Sequence, residues 1–300
     1  MIATTWSEQD DLRAFLKERY APHMLRGRKA STLNKYHYAI DHFGRYLGRP
    51  PRIGDLEELQ LTDFVHQFAR APSTTNGYLS KLRRLATYAH GKGILAELPF
   101  VLPLPTYDDE PIALTPAQFA AVIHAARRME GWIAYVPRSL WLEALAWAVF
   151  DTAFRVGALL SLRWSGLEAT TGTIYVRGED QKTGKFARRA IHRDTMALLL
   201  RMRNPLADDD HVWPFPWADA TGFYNGPTRR LFALAGLPDS KDYKWHAIRK
   251  LMGTLVADQF GDAAGAEYLQ HSNIDTFRRH YKDGRQCSSR VVDEIPRPEV

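Results

Sequence analysis

Five prolines fall between positions 99 and 116, in LPFVLPLPTYDDEPIALTP, and this stretch limits what the chain can become more than any other. A residue without a backbone N–H sustains neither a helix interior nor a central strand, so the segment reads as an extended connection. It splits the 300 residues into a first hundred and a longer remainder, at a length where one core usually gives way to two. The expected domains are residues 1–98, a proline-rich linker at 99–113, and residues 114–300.

Upstream of the prolines, apolar residues recur at helical spacing. SEQDDLRAFLKERYAPHML puts Leu12, Phe15, Leu16 and Arg19 behind Ser7, a candidate N-cap. A second run starts at Ser31 and carries Leu33, Tyr36, Ile40, Phe43 and Leu47 on one stripe. LQLTDFVHQFA is a shorter helix. The fourth runs from a Ser73 cap to a Gly91 stop, with Tyr78, Leu82, Leu85 and Tyr88 or Ala89 inward. Downstream, Thr115-Pro116 fits a cap with proline at the first helical position. PAQFAAVIHAARRM and PRSLWLEALAWAVFDTAF are helical, and TGTIYVRG and KFARRAIH alternate as strands around a KTGK turn. Helix returns from DATGFYNGPTRRLFALAGL onward. The fold class expected is mostly α with a small β-hairpin or sheet.

The net charge is +6, and the excess is uneven: residues 1–105 carry +5 and the rest +1. Within the first part, RGRKAST sets Arg26, Arg28 and Lys29 at the entrance of a helix, and KLRR sets Lys81, Arg83 and Arg84 within another. Such cations suit phosphate contacts, although a solvated helix face carries the same pattern. A lone cysteine, Cys287, excludes an internal disulfide and fits a reducing compartment. The acidic, polar opening MIATTWSEQDD is unlike a secretory leader, and the longest apolar run is broken by Glu143 and Asp151. A cytoplasmic protein without a membrane segment is expected.

Four segments of the longer part carry chemistry. DTAFRVGALLSLRW places Arg155 between two apolar runs, and EDQKTGKFARRAIH places Lys182 at a predicted hairpin tip. In YKWHAIRKLMGTLVADQF, His246 and Arg249 stand three apart and share a helix face, a directed donor beside a planar two-pronged one. LQHSNIDTFRRHYK sets His271 ten residues before Tyr281 and packs Arg278, Arg279 and His280 just ahead of that tyrosine. Singly, each has a bland reading as a solvated helix or turn. Zinc on His246, His271 and His280 lacks both Cys pairs and H-E-x-x-H spacing, so no metal and no cofactor is expected.

In this order, Arg155, Lys182, His246, Arg249, His271 and Tyr281 resemble the catalytic set of the tyrosine recombinase (phage integrase) family. TAFRVGALLSLRW is similar to its first arginine box, QKTGK to its hairpin lysine, HAIRK to its His-x-x-Arg box, and LQHS…HY to its last histidine and nucleophile. The resemblance implies a four-helix, SAM-like core-binding domain ahead of an α+β catalytic domain. It implies a metal-independent, site-specific recombinase or integrase of a mobile element. Its partners would be double-stranded DNA, a homo-oligomer (a tetramer on two duplexes), and in some cases accessory DNA-bending proteins. Tyr281 would attack the scissile phosphate to give a 3′-phosphotyrosyl link that conserves the bond's energy. Arg155, Arg249 and His271 would hold the non-bridging oxygens, His246 would assist as acid/base or donor, and Lys182 would protonate the leaving 5′-oxygen. A tail containing Val291, Val292 and Ile295 would dock on a neighbouring protomer.

Several family habits are absent. A glycine is usual two residues before the first arginine and an acidic residue three after; here stand Ala153 and Ala158. Ala247 replaces an aspartate after the histidine, and Gln270 replaces the glycine of Leu-Gly-His. Tyr281 lies one residue beyond the usual spacing, which His280 occupies; on a continuing helix that would turn a side chain by about 100°. These departures motivate a second reading, a DNA-binding protein of recombinase fold that does not cut. A third is a relaxing enzyme like the type IB topoisomerases.

Overall fold

The computed structural model describes residues 5–68, 70–107, 110–181, 184–206, 210–271 and 273–282. The chain forms two compact units, Met1–Asp108 and Asp109–Val300.

In the first unit, α1 (Leu12–Phe15) passes through one wide π-helical turn, Leu16–Tyr20, into α2 (Ala21–Met24). There follow α3 (Ala30–Leu47), α4 (Glu58–Gln67) and α5 (Pro72–His90). Leu12, Phe15, Tyr36, Phe43, Phe64, Leu82 and Leu85 close one core, with α3 lying along α5. The expected caps shift. Asp11, not Ser7, caps the first helix by accepting from the Ala14 N–H at 2.7 Å, because Ser7 is turned back onto Asp10. The second helix already begins at Ala30, and the last opens on Pro72 rather than behind Ser73. Tyr78 and Tyr88 are only half-buried; Leu79 and Ala86 take inward places beside Leu82 and Leu85.

No helix or strand forms among the described residues between Gly91 and Thr115. Yet the early prolines do not release the chain: Val101 is buried in the first core, and the Asn76 amide brackets Leu104, donating to its carbonyl and accepting its N–H, both at 2.8 Å. Ala113 and Leu114 are already buried in the second core.

The second unit opens on α6 (Pro116–Arg127), whose Thr115 and Gln118 cap each other reciprocally with Pro116 at the first position. A short antiparallel pair, β1 (Trp132–Ile133) and β2 (Val136–Pro137), leads into α7 (Arg138–Thr152) and α8 (Val156–Leu160). The sheet has order β3 (Leu167–Glu168), β4 (Thr173–Val176), β5 (Ala187–Ala190), all antiparallel. The expected strands form in shortened versions, with a 3-10 turn at Gly178–Asp180 after the first; the expected KTGK turn includes Lys182 and Thr183, which lie outside the described residues. Then come α9 (Arg193–Arg201), α10 (Ala220–Phe223), α11 (Arg229–Leu234), α12 (Trp245–Phe260), α13 (Asp262–Tyr268) and α14 (Ile274–His280).

Here α7 is apolar nearly all round and buried, as a central helix must be, and α12 packs against both it and α13. Close approach is built on absent side chains. A Cβ at Gly253 of α12 would stand 2.7 Å from a Leu269 methyl carbon, and one at Gly265 of α13 would stand 2.6 Å from the Phe277 ring. These glycines let α12, α13 and α14 enclose a small second core of Ala153, Ala257, Ala266, Leu269, Phe277 and Tyr281. Among the described residues, no helix is long and apolar enough to cross a membrane.

Candidate active site

Three distant stretches meet at that small core: the turn after α7, the first turns of α12, and the chain from α13 to Tyr281. At the end of α7, Thr152 donates to the Ala148 carbonyl at 2.6 Å and accepts the Phe154 N–H at 3.1 Å, closing the helix. Ala153 then adopts a left-handed conformation, φ 50°, and Arg155 occupies the N-cap position of α8. The Arg155 side chain is half-buried and has no hydrogen-bond or ion-pair partner among the described residues.

Arg249, one turn after His246 in α12, is 3% exposed. Its Nη1 donates to the Ala153 carbonyl and its Nη2 to the Leu269 carbonyl at 2.6 Å, while its buried Nε finds no partner. Both accepting carbonyls belong to left-handed turns, Ala153 itself and the peptide that precedes Gln270, φ 56°. The two positions where the family's glycines are replaced thus keep the backbone conformation that glycine favours.

Tyr281 is buried as well, 8% exposed. Its ring centroid lies 4.1 Å from that of His271 and 5.1 Å from that of His246, both edge-on, with the Arg249 guanidinium 5.7 Å from its face. The longer spacing from His271 is absorbed at the end of α14. The helix stops at His280, which points to solvent, and Tyr281 follows at φ −130°, ψ −32°, off the helical phase. Its carbonyl accepts from Thr254 at 3.3 Å.

The charges that act on this cluster are cations, apart from the Tyr281 phenol. Burial first, then Arg249, Lys250 and Arg155, lowers the His246 imidazole to about 4, although the residue as a whole is exposed. Burial, Arg249 and Arg155 lower His271 to about 4 as well, and its Nδ1 is buried without a partner. Arg249 falls to about 10 through burial and the neighbouring Arg155, the Tyr281 oxygen acting in the opposite direction. Two guanidiniums and two imidazoles lowered toward the neutral form, with no carboxylate among them, are donor types that suit an anion. Among the described residues, no group of three or more His, Cys, Asp or Glu could hold a metal ion.

Not every expected residue joins the cluster. Lys182 lies outside the described residues, as do Cys287 and the tail with Val291, Val292 and Ile295. Arg278, Arg279 and His280 are exposed; Arg278 binds Asp262 of α13 at 2.7 Å, and with Lys282, on the same carboxylate at 2.8 Å, it ties α14 down. Ala158 and Ala247 are 5% and 1% exposed and belong to the main core of the unit, where methyl groups stand at the family's carboxylate positions. In the first unit, Arg26, Arg28 and Lys29 are exposed in the turn before α3, and Arg83 and Arg84 are exposed on α5. Lys81 is half-buried and its ammonium is lowered by burial, Arg84 and Lys35, so these three share one place. Lys35, on the neighbouring helix α3, was not singled out by spacing.

No family model and no curated protein matches the chain. Solved structures do. A lambda integrase dimer bound to a COC′ core site superposes with TM-score 0.68 at 20% identity, covering 98% of this chain and 81% of that one. A lambda integrase tetramer bound to a Holliday junction gives 0.70 at 19%, covering 96% and 81%. The XerH site-specific recombinase in a post-cleavage complex on palindromic difH gives 0.67 at 15%, covering 90% and 80%. The chain has the tyrosine recombinase fold. On that fold, two residues that spacing did not single out lie against the cluster. Arg189 of β5 donates from Nη2 to the Tyr268 carbonyl at 2.9 Å and stacks 5.1 Å from the Tyr268 ring. Its register opposite buried Ile174 puts it in the apolar row Ala187, Arg189, Ile191. A charge inside an apolar row was the signal available for it.

Proposed function

We propose that this protein is a site-specific DNA recombinase or integrase that cleaves and rejoins strands through a 3′-phosphotyrosyl intermediate. The observation that carries the reading is the meeting of Tyr281, His271, His246 and Arg249 around one ring, at 4.1, 5.1 and 5.7 Å, from two separate stretches of chain. Arg155 adds a second guanidinium whose charge acts on both imidazoles.

Tyr281 attacks phosphorus, and the new P–O bond forms as the bond to the 5′-oxygen breaks. The developing charge on the non-bridging oxygens is met by Arg155, by Arg249 and by His271. His246, neutral in the empty site, accepts the phenolic proton or donates to the phosphate. Lys182 delivers the proton to the leaving 5′-oxygen. The second half-reaction reverses these roles, with a DNA hydroxyl as attacker. In the first unit, Arg26, Arg28, Lys29, Lys81, Arg83 and Arg84, with Lys35, contact backbone phosphates and set the salt dependence of binding. The DNA-bound dimer and tetramer of lambda integrase support assembly of this chain on duplex DNA as a homo-oligomer, a tetramer in the complete reaction. Accessory DNA-bending proteins, a cytoplasmic, nucleoid-bound setting and a tail that docks on the next protomer complete the reading.

A nicked duplex carrying the cognate site, found by selecting bound fragments from random DNA, tests it. The wild-type chain traps as a covalent protein–DNA adduct and Tyr281→Phe does not. A second reading, binding without cleavage, draws on Arg249, whose two terminal nitrogens are already held by backbone carbonyls. Specific binding with no adduct on any selected site decides for that reading.

A further inference from the structure

The segment Tyr268–Leu269–Gln270–His271 supplies both a carbonyl that holds Arg249 and the histidine beside Tyr281. Where this segment stands therefore sets where two anion-binding groups stand. Its main-chain bonds run back into α13: Leu269 N–H to Gly265, Gln270 N–H to Glu267 and His271 N–H to Ala266. Something else must register it against α7, whose end holds the other carbonyl on Arg249.

That connection is Tyr268. Its hydroxyl donates to the Asp151 carbonyl at the end of α7, two residues before Ala153. The Asp151 side chain is fixed in turn from α9, accepting the Thr195 hydroxyl at 2.6 Å and the His192 N–H at 3.0 Å. From the opposite side, Arg189 of β5 binds the Tyr268 carbonyl and lies over its ring. Tyr268 and Arg249 thus bridge the same two pieces of chain in parallel, Asp151 to Ala153 on one side and Tyr268 to Leu269 on the other.

We propose that Tyr268, clamped by Arg189, is a positioning residue that registers the turn at residues 269–271 against the end of α7 and so aims Arg249 and His271 at the bound phosphate. This rests on the recombinase reading for the identity of the phosphate, but not for the existence of the anion site. Tyr268 touches no reacting atom. It acts by fixing the distance between two carbonyls that share one guanidinium, and the clamp carries any shift of β5 into the site.

Three variants test it: Tyr268→Phe, which deletes one hydrogen bond and keeps the ring; Arg189→Gln, which removes the cation; and Arg189→Lys, which restores a cation over the ring. Each is titrated with sulfate by calorimetry, and each is followed for adduct formation on the nicked duplex at saturating DNA. Tyr268→Phe and Arg189→Gln should weaken sulfate binding severalfold and slow adduct formation about tenfold, with DNA affinity and melting temperature near wild type. Arg189→Lys should recover most of the loss. Sulfate binding and adduct rate equal to wild type in both Tyr268→Phe and Arg189→Gln overturn the proposal. So does a loss of rate that tracks a fall in melting temperature and is not recovered by lysine. If the wild type binds sulfate but forms no adduct, the recombinase reading fails, and the sulfate series alone decides the role of Tyr268.

Discussion

The cations of the two units are held in opposite ways. In the first unit they stand at helix surfaces: Arg26, Arg28, Lys29, Arg83 and Arg84 are exposed, and Lys81 is half-buried beside Arg84 and Lys35. In the second unit Arg249 is buried, forked between two carbonyls, and charged beside a second guanidinium. Exposed cations move, are screened by salt and can substitute for one another. A buried guanidinium without a counter-ion is retained only because the fold fixes it, and its neighbours depend on that place. The first arrangement suits a partner met along its length, and the second suits a single phosphate.

The comparison breaks most sharply at Arg249. Arg249→Lys keeps the charge but cannot span the Ala153 and Leu269 carbonyls, so one buried acceptor loses its partner. We expect adduct formation to fall about 10²–10³-fold, as when a fixed donor to a transition-state oxygen is lost, with a stability loss of about 1–3 kcal/mol. Single-turnover cleavage and denaturant unfolding measure the two. A rate within threefold of wild type would mean that the forked geometry is dispensable.

A pH series separates the two kinds of cation next. In the empty site His246 and His271 are both lowered to about 4, below the ordinary histidine value. Unfolding releases them to titrate near ~6.5, so the unfolded chain binds more protons between about 4 and 6.5. Their contribution to stability is present above that window and lost as pH falls through it. A bound anion favours the charged imidazoles, so its binding takes up protons and tightens on acidification. Sulfate, whose charge is constant in this range, should bind about tenfold more tightly at pH 5 than at pH 7, with proton uptake visible in buffers of different ionisation enthalpy. Affinity independent of pH would remove both histidines from the anion site.

The helix-surface cations of the first unit should give smaller, additive effects. Lys35→Ala, Lys81→Ala and Arg84→Ala should each weaken DNA binding severalfold and flatten the dependence of log affinity on log salt by about 0.9 for each phosphate left without its cation. Adduct formation at saturating DNA should stay near wild type. An unchanged salt slope in all three would mean that this cluster faces solvent rather than DNA.

The contrast also explains what could be read from the residues in order. Arg155, His246, Arg249, His271 and Tyr281 could be gathered beforehand because their order resembles the family's catalytic set, and helical spacing pairs two of them; the fold adds that His246, Arg249 and His271 meet around the Tyr281 ring. The helices were legible because periodicity is local. Lys35, Arg189 and Tyr268 were not, because their partners lie on other elements: Lys35 meets Lys81 across two helices, and Tyr268 meets Asp151 across 117 positions. The first cap failed because two acceptors competed and Asp11 displaced Ser7, whereas α3 and α5 start earlier than expected with no side-chain cap. The extra residue before Tyr281 does not carry its ring away from His271, because a helix phase extends only as far as the helix, and α14 stops one residue short.

The smallest effect concerns the two turns that hold Arg249. A left-handed conformation costs an L-residue roughly 1–2 kcal/mol, and glycine avoids that cost while adding roughly 0.5–1 kcal/mol of unfolded-chain entropy. Gln270 is half-exposed, so Gln270→Gly should stabilise the protein by about 0.5–1 kcal/mol. Ala153 has the same backbone, but its methyl group is fully buried in the small core beside Leu269 and Tyr281. Losing that methyl costs about 0.8 kcal/mol, so Ala153→Gly should be close to neutral. Urea unfolding of the two variants checks the difference. A larger gain at Ala153 than at Gln270 would mean that the buried methyl is strained rather than packed. The carbonyl beneath Arg249 would then be held by the turn itself and not by the core around it.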